Sequence, residues 1–279
     1  MIKTIDLDDT LAMNDIKDVL SAKNSTFLRG EAEFYNEHGD LLFKKSNLIV
    51  LGGKLFALEK LFNVKANIDI PDLKTQFNVP PSTVIKDNEL NGPAQKKAVC
   101  LFCVGKGGSK LEFGQVTPPN FKDTSLFHMI PFRYVDPEND LDFTEKQKYF
   151  FRYETATNKI AYFLKKFDKE PKIQVKRAGT DVDADLNVEA SENFDVYVEM
   201  ELKIDVQDIR EYFNAINADS SDSNIPRYNE IGLVYGIQPE SSNGEYVDYE
   251  QLKLFSKLTF NNDALDSVTK ELRIIYRVY

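Results

Sequence analysis

The chain has 279 residues, 42% of them hydrophobic and 29% charged, and its net charge is -10 at neutral pH. A chain of this size can bury a sizeable core, as one large domain or as two modest ones. The acidic balance argues against a nucleic-acid partner, because affinity for phosphates depends on clustered lysine and arginine. No stretch has the length and apolarity of a membrane span and no signal peptide precedes Asp6, so we expect a soluble protein made in a cytoplasm.

The first acidic motif lies in residues 1–11, MIKTIDLDDTL. The sequence Asp6-Leu7-Asp8-Asp9-Thr10 resembles the first motif of haloacid-dehalogenase-type phosphatases. That resemblance implies Asp6 as nucleophile, Asp8 as acid/base and Mg²⁺ as cofactor. Two of the family's other parts are missing, since the apolar run at residues 49–51 is followed by glycine rather than Ser or Thr and no apolar strand ends in two carboxylates. The alternative interpretation is an acidic N-terminal arm, residues 1–23, with a short helix capped by Thr10 or Asn14.

A β-hairpin and a helix are predicted next. One strand ends at Phe34 and Tyr35, residues 37–40 form a turn in which Gly39 supplies a positive φ, and a second strand follows. Residues 48–51 are predicted to form a separate buried strand. The pair Gly52-Gly53 is expected to turn the chain into a helix, since the residues after it have helical spacing: Leu55, Phe56, Leu58, Leu61 and Phe62.

Residues 65–93 contain several prolines and scattered apolar residues, which predicts an extended segment laid across the fold or against a neighbour. The next strand, residues 98–104, carries Cys100 and Cys103. Their C-x-x-C spacing is found in metal and redox sites, but residues three apart on a strand point to opposite faces and no second pair exists. Both are therefore expected to be core thiols. His128 is expected to be a hydrogen-bonded core or interface residue rather than a base.

The clearest hairpin spans residues 147–167, in which aromatic and aliphatic residues alternate on both sides of a polar turn. Further strands are predicted at residues 172–175, 194–206, 231–237, 252–260 and 272–279, with a short helix capped by Asp205 or Asp208. The final strand is expected to be incorporated in a sheet.

An acidic loop, residues 178–193, separates two of these strands. Its carboxylates Asp181, Asp183, Asp185 and Glu192 have the ligand spacing of an EF-hand calcium loop. Leu186 occupies the position where that loop needs glycine, and the preceding residues resemble a strand rather than a helix. The interpretations are an acidic surface loop or a calcium-stabilised binding or adhesin module.

The predicted fold is mainly β, with antiparallel sandwich-like sheets, two or three short helices and long irregular arms. Its parts are the N-terminal arm (1–23), a β-rich domain (24–177), the acidic loop (178–193) and a second β-rich region (194–279) that shares or adjoins the same core. No cluster of polar residues is arranged for catalysis, so no catalytic or cofactor-binding residues are assigned.

The segment NLIVLGGK at residues 47–54, with the preceding hairpin, and the two C-terminal strands at 254–260 and 272–279 resemble virion structural proteins of tailed bacteriophages. The resemblance covers about a quarter of the chain and implies a non-enzymatic subunit of a head, neck, tail or baseplate. Its expected partners are copies of itself and other virion proteins, and its expected location is the virion after synthesis in the host cytoplasm. Assembly by strand addition and docking of long segments suits the composition.

Overall fold

The computed structural model describes residues 28–62, 68–78, 97–109, 115–180, 194–218, 228–239, 246–261 and 271–279. Twelve strands occur in this part. They are β1 (Gly30–Tyr35), β2 (Leu41–Ile49), β3 (Ala98–Gly105), β4 (Met129–Ile130), β5 (Arg133–Val135), β6 (Tyr149–Glu154), β7 (Ile160–Lys166), β8 (Lys172–Arg177), β9 (Phe194–Ile204), β10 (Glu230–Ile237), β11 (Glu250–Thr259) and β12 (Leu272–Val278). The helices are α1 (Leu51–Phe62), α2 (Phe143–Lys146) and α3 (Val206–Ala218), with short 3₁₀ segments at Leu73–Phe77 and Pro137–Asn139.

The strands form one curled sheet in the order β5-β7-β3-β10-β11-β2-β1-β12-β9-β8, while β4 pairs with β3 and β6 pairs with β7. Each pairing among these strands is antiparallel. The predicted mainly β, antiparallel fold with a few short helices is therefore confirmed. The sheet is continuous because β2 is long enough to pair with β1 along most of its length and with β11 at residues 48 and 49.

Two hydrophobic clusters form the core, one on each face of the curled sheet. The first combines residues from both ends of the described chain, including Phe34, Phe102, Leu202, Ile274 and Tyr276, all fully buried. The second lies against β3, β6, β7, β10 and β11 and contains, among others, Leu101, Phe151, Leu164, Val234 and Leu252. Since successive strand residues alternate between faces, neighbours such as Leu101 and Phe102 contribute to different clusters.

The structure corrects the prediction that Gly52 and Gly53 form the turn before the helix. Gly52 and Gly53 lie inside α1, which begins at Leu51, and residues 48–49 are the end of β2 rather than a separate strand. A Cβ atom on Gly53 would lie 2.1 Å from the backbone oxygen of Phe255. The pair is therefore required by the close approach of the helix to β11, and the turn into the helix takes place at Val50.

The two hairpin predictions are confirmed. β1 and β2 are joined by a turn in which Gly39 has φ of 83°. β6 and β7 are joined by a turn in which Asn158 has φ of 57°. The predicted strands at residues 98–104, 172–175, 194–206, 231–237, 252–260 and 272–279 correspond to β3, β8, β9, β10, β11 and β12. β12 lies between β1 and β9, so the last predicted strand is an internal strand of the sheet.

Candidate functional site

The most densely charged part of the interior is centred on Asp208, in the first turn of α3. Its Oδ1 accepts hydrogen bonds from Arg133 Nη1 at 2.5 Å and from the Tyr149 hydroxyl at 2.9 Å. Its Oδ2 accepts hydrogen bonds from Lys165 Nζ at 2.6 Å and from the backbone N–H of Asp205 at 3.0 Å. We call Arg133, Tyr149, Lys165, Asp205 and Asp208 the Asp208 cluster. It joins α3 to three strands, β5, β6 and β7.

The burial of the Asp208 cluster indicates that its role is to hold α3 against the sheet. Asp208 is fully buried, and Arg133 and Lys165 are 5% and 2% exposed. Burial and the negative charge of Asp208 raise the pKa of Tyr149, so its phenol stays protonated and donates. A carboxylate with two cations and a phenol is a familiar catalytic set, but a substrate needs access to the reacting atoms. Apart from Asp205, the side chains of this cluster have almost no accessible surface. Breaking such a buried pair is costly because it leaves an uncompensated charge in the interior.

Of the two aspartates predicted to cap α3, only one does so in the structure. Asp205 Oδ1 accepts hydrogen bonds from the backbone N–H groups of Gln207 and Asp208, both at 2.9 Å. Burial opposes ionisation of Asp205, but the charge of Lys165 and the cap hydrogen bonds hold its pKa below the usual value. Asp205 is therefore the cap, while Asp208 is turned inward.

A second buried carboxylate, Glu230, holds two loops against β10. It accepts hydrogen bonds from the backbone N–H groups of Gly107, of Phe127 at 2.6 Å and of His128 at 3.0 Å. Lys257, also fully buried, lies 3.7 Å from Glu230 and 3.1 Å from Asp123. Burial lowers the pKa of Lys257, although both carboxylates favour its charged form. The backbone donors that could have bound an external anion are thus occupied by this chain's own Glu230.

A third carboxylate, Asp248, binds the backbone of the edge strand β6. Its Oδ1 accepts a hydrogen bond from the backbone N–H of Phe151 on β6 at 2.7 Å, and its Oδ2 lies 3.3 Å from Lys74 Nζ. Phe151 has φ of 57°, a conformation that a bulky residue adopts only when its surroundings hold it there. The Lys74 ammonium also donates to the backbone oxygen of Tyr249 at 3.0 Å, which secures the 3₁₀ segment to the same edge.

This edge contact supports part of the expectation for residues 65–93. The 3₁₀ segment Leu73–Phe77 lies across the fold, with Leu73 buried and the Phe77 ring 4.4 Å from that of Phe163. Residues 63–67 and 79–96 lie outside the described part of the chain.

The outer face of β1, β2, β12 and β9 carries a ladder of ion pairs. Arg277 contacts Glu33 and Glu199, each at 2.9 Å, and Lys44 contacts Glu31 and Glu33 at 3.2 and 3.1 Å. Opposite charges directly across neighbouring strands stabilise a sheet, so this ladder fixes the register of the four strands.

The opposite edge of the sheet differs from the closed β6 edge. In the part of the chain that the structure describes, β8 pairs with β9 alone. Four apolar residues share one face there, since Ile173 is paired with Val198 and Val175 with Val196. Ile173 is 74% exposed and Val196 is 56% exposed, although the same face of β9 is buried further along, at Met200, Leu202 and Ile204. We call Ile173, Val175, Val196 and Val198 the β8–β9 patch.

The two cysteines and His128 depart in part from expectation. Cys103 is fully buried and burial raises its pKa, as expected for a core thiol. Cys100 is only half-buried, and it packs against the same cluster as Cys103 because the register shifts between Val99 and Leu101. The expectation of opposite faces is therefore wrong at this bulge. His128 is exposed rather than in the core; its backbone N–H, not its ring, makes the contact with Glu230.

The predicted ligand and catalytic residues lie elsewhere. Asp6 and Asp8, and the acidic residues Asp181, Asp183, Asp185 and Glu192, fall outside the described residues. Within the described residues, no group of three or more His, Cys, Asp or Glu side chains is placed to hold a metal ion. Nor does any helix of that part combine the length and apolarity needed to cross a membrane.

Comparison with known proteins gives one partial match. Residues 76–189 match a family model described as a family of unknown function (DUF7208). The match covers less than half of the chain and runs from the 3₁₀ segment through β8. It includes Arg133, Tyr149 and Lys165, whereas Asp208 lies beyond it. No curated protein and no solved structure has significant similarity to the chain.

Sequence reasoning missed the buried carboxylates Asp208 and Glu230 and the half-buried Asp248 as structural centres. One signal was available for one of their partners, because Lys165 directly follows the apolar run IAYFL of β7. A lysine at an inward position of such a strand indicates a buried counter-ion. The identity of that counter-ion, far away in the sequence, carries no local signature.

Proposed function

We propose that this protein is a non-enzymatic structural subunit of a tailed-phage virion, made in the host cytoplasm and assembled with copies of itself and other virion proteins. The observation that carries the assembly role is the β8–β9 patch, where Ile173 and Val196 extend the apolar inner face of the sheet into solvent. The virion assignment depends on the resemblance of residues 47–54, 254–260 and 272–279 to virion proteins.

The contrast between the two sheet edges supports an association surface at β8. At β6 the edge N–H of Phe151 is bonded to Asp248 and the neighbouring ring of Phe77 covers the strand. At β8 the strand carries an exposed isoleucine. Natural sheets protect their edges unless the edge is used, since an open strand is a template for another chain.

The buried and half-buried carboxylates also support a structural role. Asp208, Glu230 and Asp248 each bind cations and backbone donors from distant parts of the chain. Such networks fix loops and helices in one arrangement, which suits a subunit that must present the same surface to every neighbour.

The test is to measure the mass of the purified full-length chain by light scattering over a range of concentrations, and to image it by electron microscopy alone and in its native particle. We expect an oligomer with a defined number of subunits and rings or lattices in the images. A chain that stays monomeric at all concentrations and is absent from the particle would refute the proposal. Deletion of residues 1–23 should leave a folded protein that assembles poorly.

A further inference from the structure

The β8–β9 patch has a pattern that a docking strand must match. On β8 the apolar residues Ile173 and Val175 alternate with Lys172, Gln174 and Lys176, which face the other side of the sheet. The strand carries three basic residues, counting Arg177, and no acidic one. A strand added beside β8 would place apolar residues next to Ile173 and acidic residues next to Lys172.

One segment of this chain outside the described residues has that pattern. In residues 5–8, Ile5 and Leu7 alternate with Asp6 and Asp8. If Ile5 and Leu7 face the patch, Asp6 and Asp8 necessarily face the lysine side. Directly opposed charges on neighbouring strands are favourable, whereas two copies of β8 paired with each other would oppose lysine to lysine or arginine.

The chain before Leu28 is long enough for residues 1–11 of one copy to reach the β8–β9 patch of a neighbouring copy. The described chain begins at Leu28, next to Arg29, whose backbone is hydrogen-bonded to that of Tyr279 just after β12. Nineteen residues separate Leu28 from Asp8. A segment of that length spans up to roughly 60 Å when extended, more than the width of a small domain.

We infer that the β8–β9 patch is the docking site for residues 1–11 of a neighbouring copy, which adds as a strand with Ile5 and Leu7 against Ile173 and Val175. The inference depends on the proposed function, since it names the surface through which the copies are joined. It assigns Asp6 and Asp8 a role in recognition and Lys172 the role of their partner.

The experiment uses the full-length protein at a concentration where light scattering shows an oligomer. Equal amounts of ¹⁵N-labelled and unlabelled protein are mixed, reassembled and treated with an amine-reactive crosslinker. We expect crosslinks between Lys3 and Lys172 that join a labelled peptide to an unlabelled one. Hydrogen exchange measured by mass spectrometry should show the amides of residues 2–8 protected about tenfold relative to an unstructured peptide.

Two variants test the surface. Ile173→Asp should abolish the protection of residues 2–8 and reduce the oligomer, because it places a charge on the apolar face against which Ile5 and Leu7 would pack. Ile68→Asp, at a comparably exposed isoleucine that is 58% exposed elsewhere on the molecule, is the matched control and should change neither. Unaltered thermal unfolding shows that each variant is folded.

A charge exchange tests the pairing itself. Lys172→Glu should weaken the protection, and adding Asp6→Lys to it should restore the protection at least in part. Lys122→Glu, at an exposed lysine on another loop, is the control.

The outcomes separate this inference from the proposed function. An oligomer in which residues 2–8 exchange freely, or in which Ile173→Asp changes nothing, overturns the inference and leaves the subunit role intact. Crosslinks found only between peptides of the same isotope overturn it as well, because the segment then folds back on its own molecule. A protein that never oligomerises refutes the proposed function and the inference with it.

Discussion

Lys165 on β7 and Asp208 on α3 meet in the interior, with 2.6 Å between Nζ and Oδ2, at positions that are 2% and 0% exposed. Lys165 also donates to the backbone oxygen of Lys203 at 2.9 Å, so the ammonium group links β7, the end of β9 and the first turn of α3. The pair therefore fastens the helix to the sheet at one point. Its stability depends on both charges being present.

Replacing Asp208 by Asn should lower the free energy of unfolding by about 3–5 kcal/mol, because Lys165 and Arg133 then lose their fully buried counter-ion. They keep only the more exposed carboxylates of Asp205 and Glu145. Urea denaturation followed by circular dichroism measures the change. The control is Glu145→Gln, since Glu145 lies 3.9 Å from Arg133 but is partly exposed, and its loss should cost under about 1 kcal/mol. Equal effects of the two substitutions would contradict the structural role assigned to Asp208.

Gly53→Ala should destabilise the protein, although alanine is the better helix former. A Cβ atom at Gly53 would lie 2.1 Å from the backbone oxygen of Phe255, so the helix must move away from β11. We expect a loss of about 1–3 kcal/mol, the usual cost of overpacking, against a propensity gain of about 1 kcal/mol elsewhere in a helix. Ala57→Gly in the same helix is the control and should cost about 0.5–1 kcal/mol by propensity alone. A stabilised Gly53→Ala protein would show that the helix does not contact β11 so closely.

Glu33 should make part of the stability depend on pH. Burial opposes its ionisation, but hydrogen bonds from Lys44 and Tyr35 and the charge of Arg277 hold its pKa below 4.5, the usual value. A carboxyl whose pKa is lowered by folding stabilises the folded state above its unfolded pKa, and that contribution is lost as the pH falls through the folded pKa.

The wild-type protein should therefore exceed a Glu33→Gln variant in stability by about 1 kcal/mol at neutral pH. The difference should shrink as the pH falls below about 4.5. Urea unfolding of both proteins between pH 7 and pH 3 measures it. Glu154→Gln, in an exposed pair with Arg152, is the comparison and should change stability less. A difference that is constant with pH would exclude the ion-pair origin.

Glu230→Gln should loosen two loops together. The carboxylate accepts N–H groups from Gly107, Phe127 and His128, and an uncharged amide can neither accept all of them equally well nor balance Lys257. Hydrogen exchange at residues 106–109 and 125–128 should become faster by about tenfold or more, while exchange in β12 stays unchanged. Glu271→Gln, which removes a more exposed pair with Lys203, is the control and should leave both loops protected. Faster exchange in only one loop would mean that Glu230 does not join them.

The hairpins and the mainly β class were predictable because they follow from local information. Alternation around Asn158 and a glycine at residue 39 specify strand, turn and strand within about 20 residues. Local sequence information also limited the candidates for the N-terminal cap of α3 to Asp205 and Asp208. The choice between them required knowing that Lys165 and Arg133 draw Asp208 inward, and those residues lie 43 and 75 positions away.

Other features depend on contacts that no local pattern encodes. Gly52 and Gly53 have the composition of a turn, yet the backbone of Leu254 and Phe255 requires them inside a helix. The sequence around Cys100 is that of a regular strand, in which Cys100 and Cys103 would face opposite sides. A bulge instead turns Cys100 toward the cluster that contains Cys103. The β8–β9 patch is apolar in sequence like any half-buried strand, and only the exposure of Ile173 in the fold distinguishes it.

The pairing of β1 with β12 also predicts an order of events during folding. Gly30 faces Val278 across this pair, so the contact closes a loop that contains nearly the whole described chain. Closing so long a loop is entropically unfavourable until other contacts have shortened it. The hairpins β6–β7, β8–β9 and β10–β11 should therefore form early, and the junction of β1 with β12 should be the slow, last step at which the sheet becomes continuous.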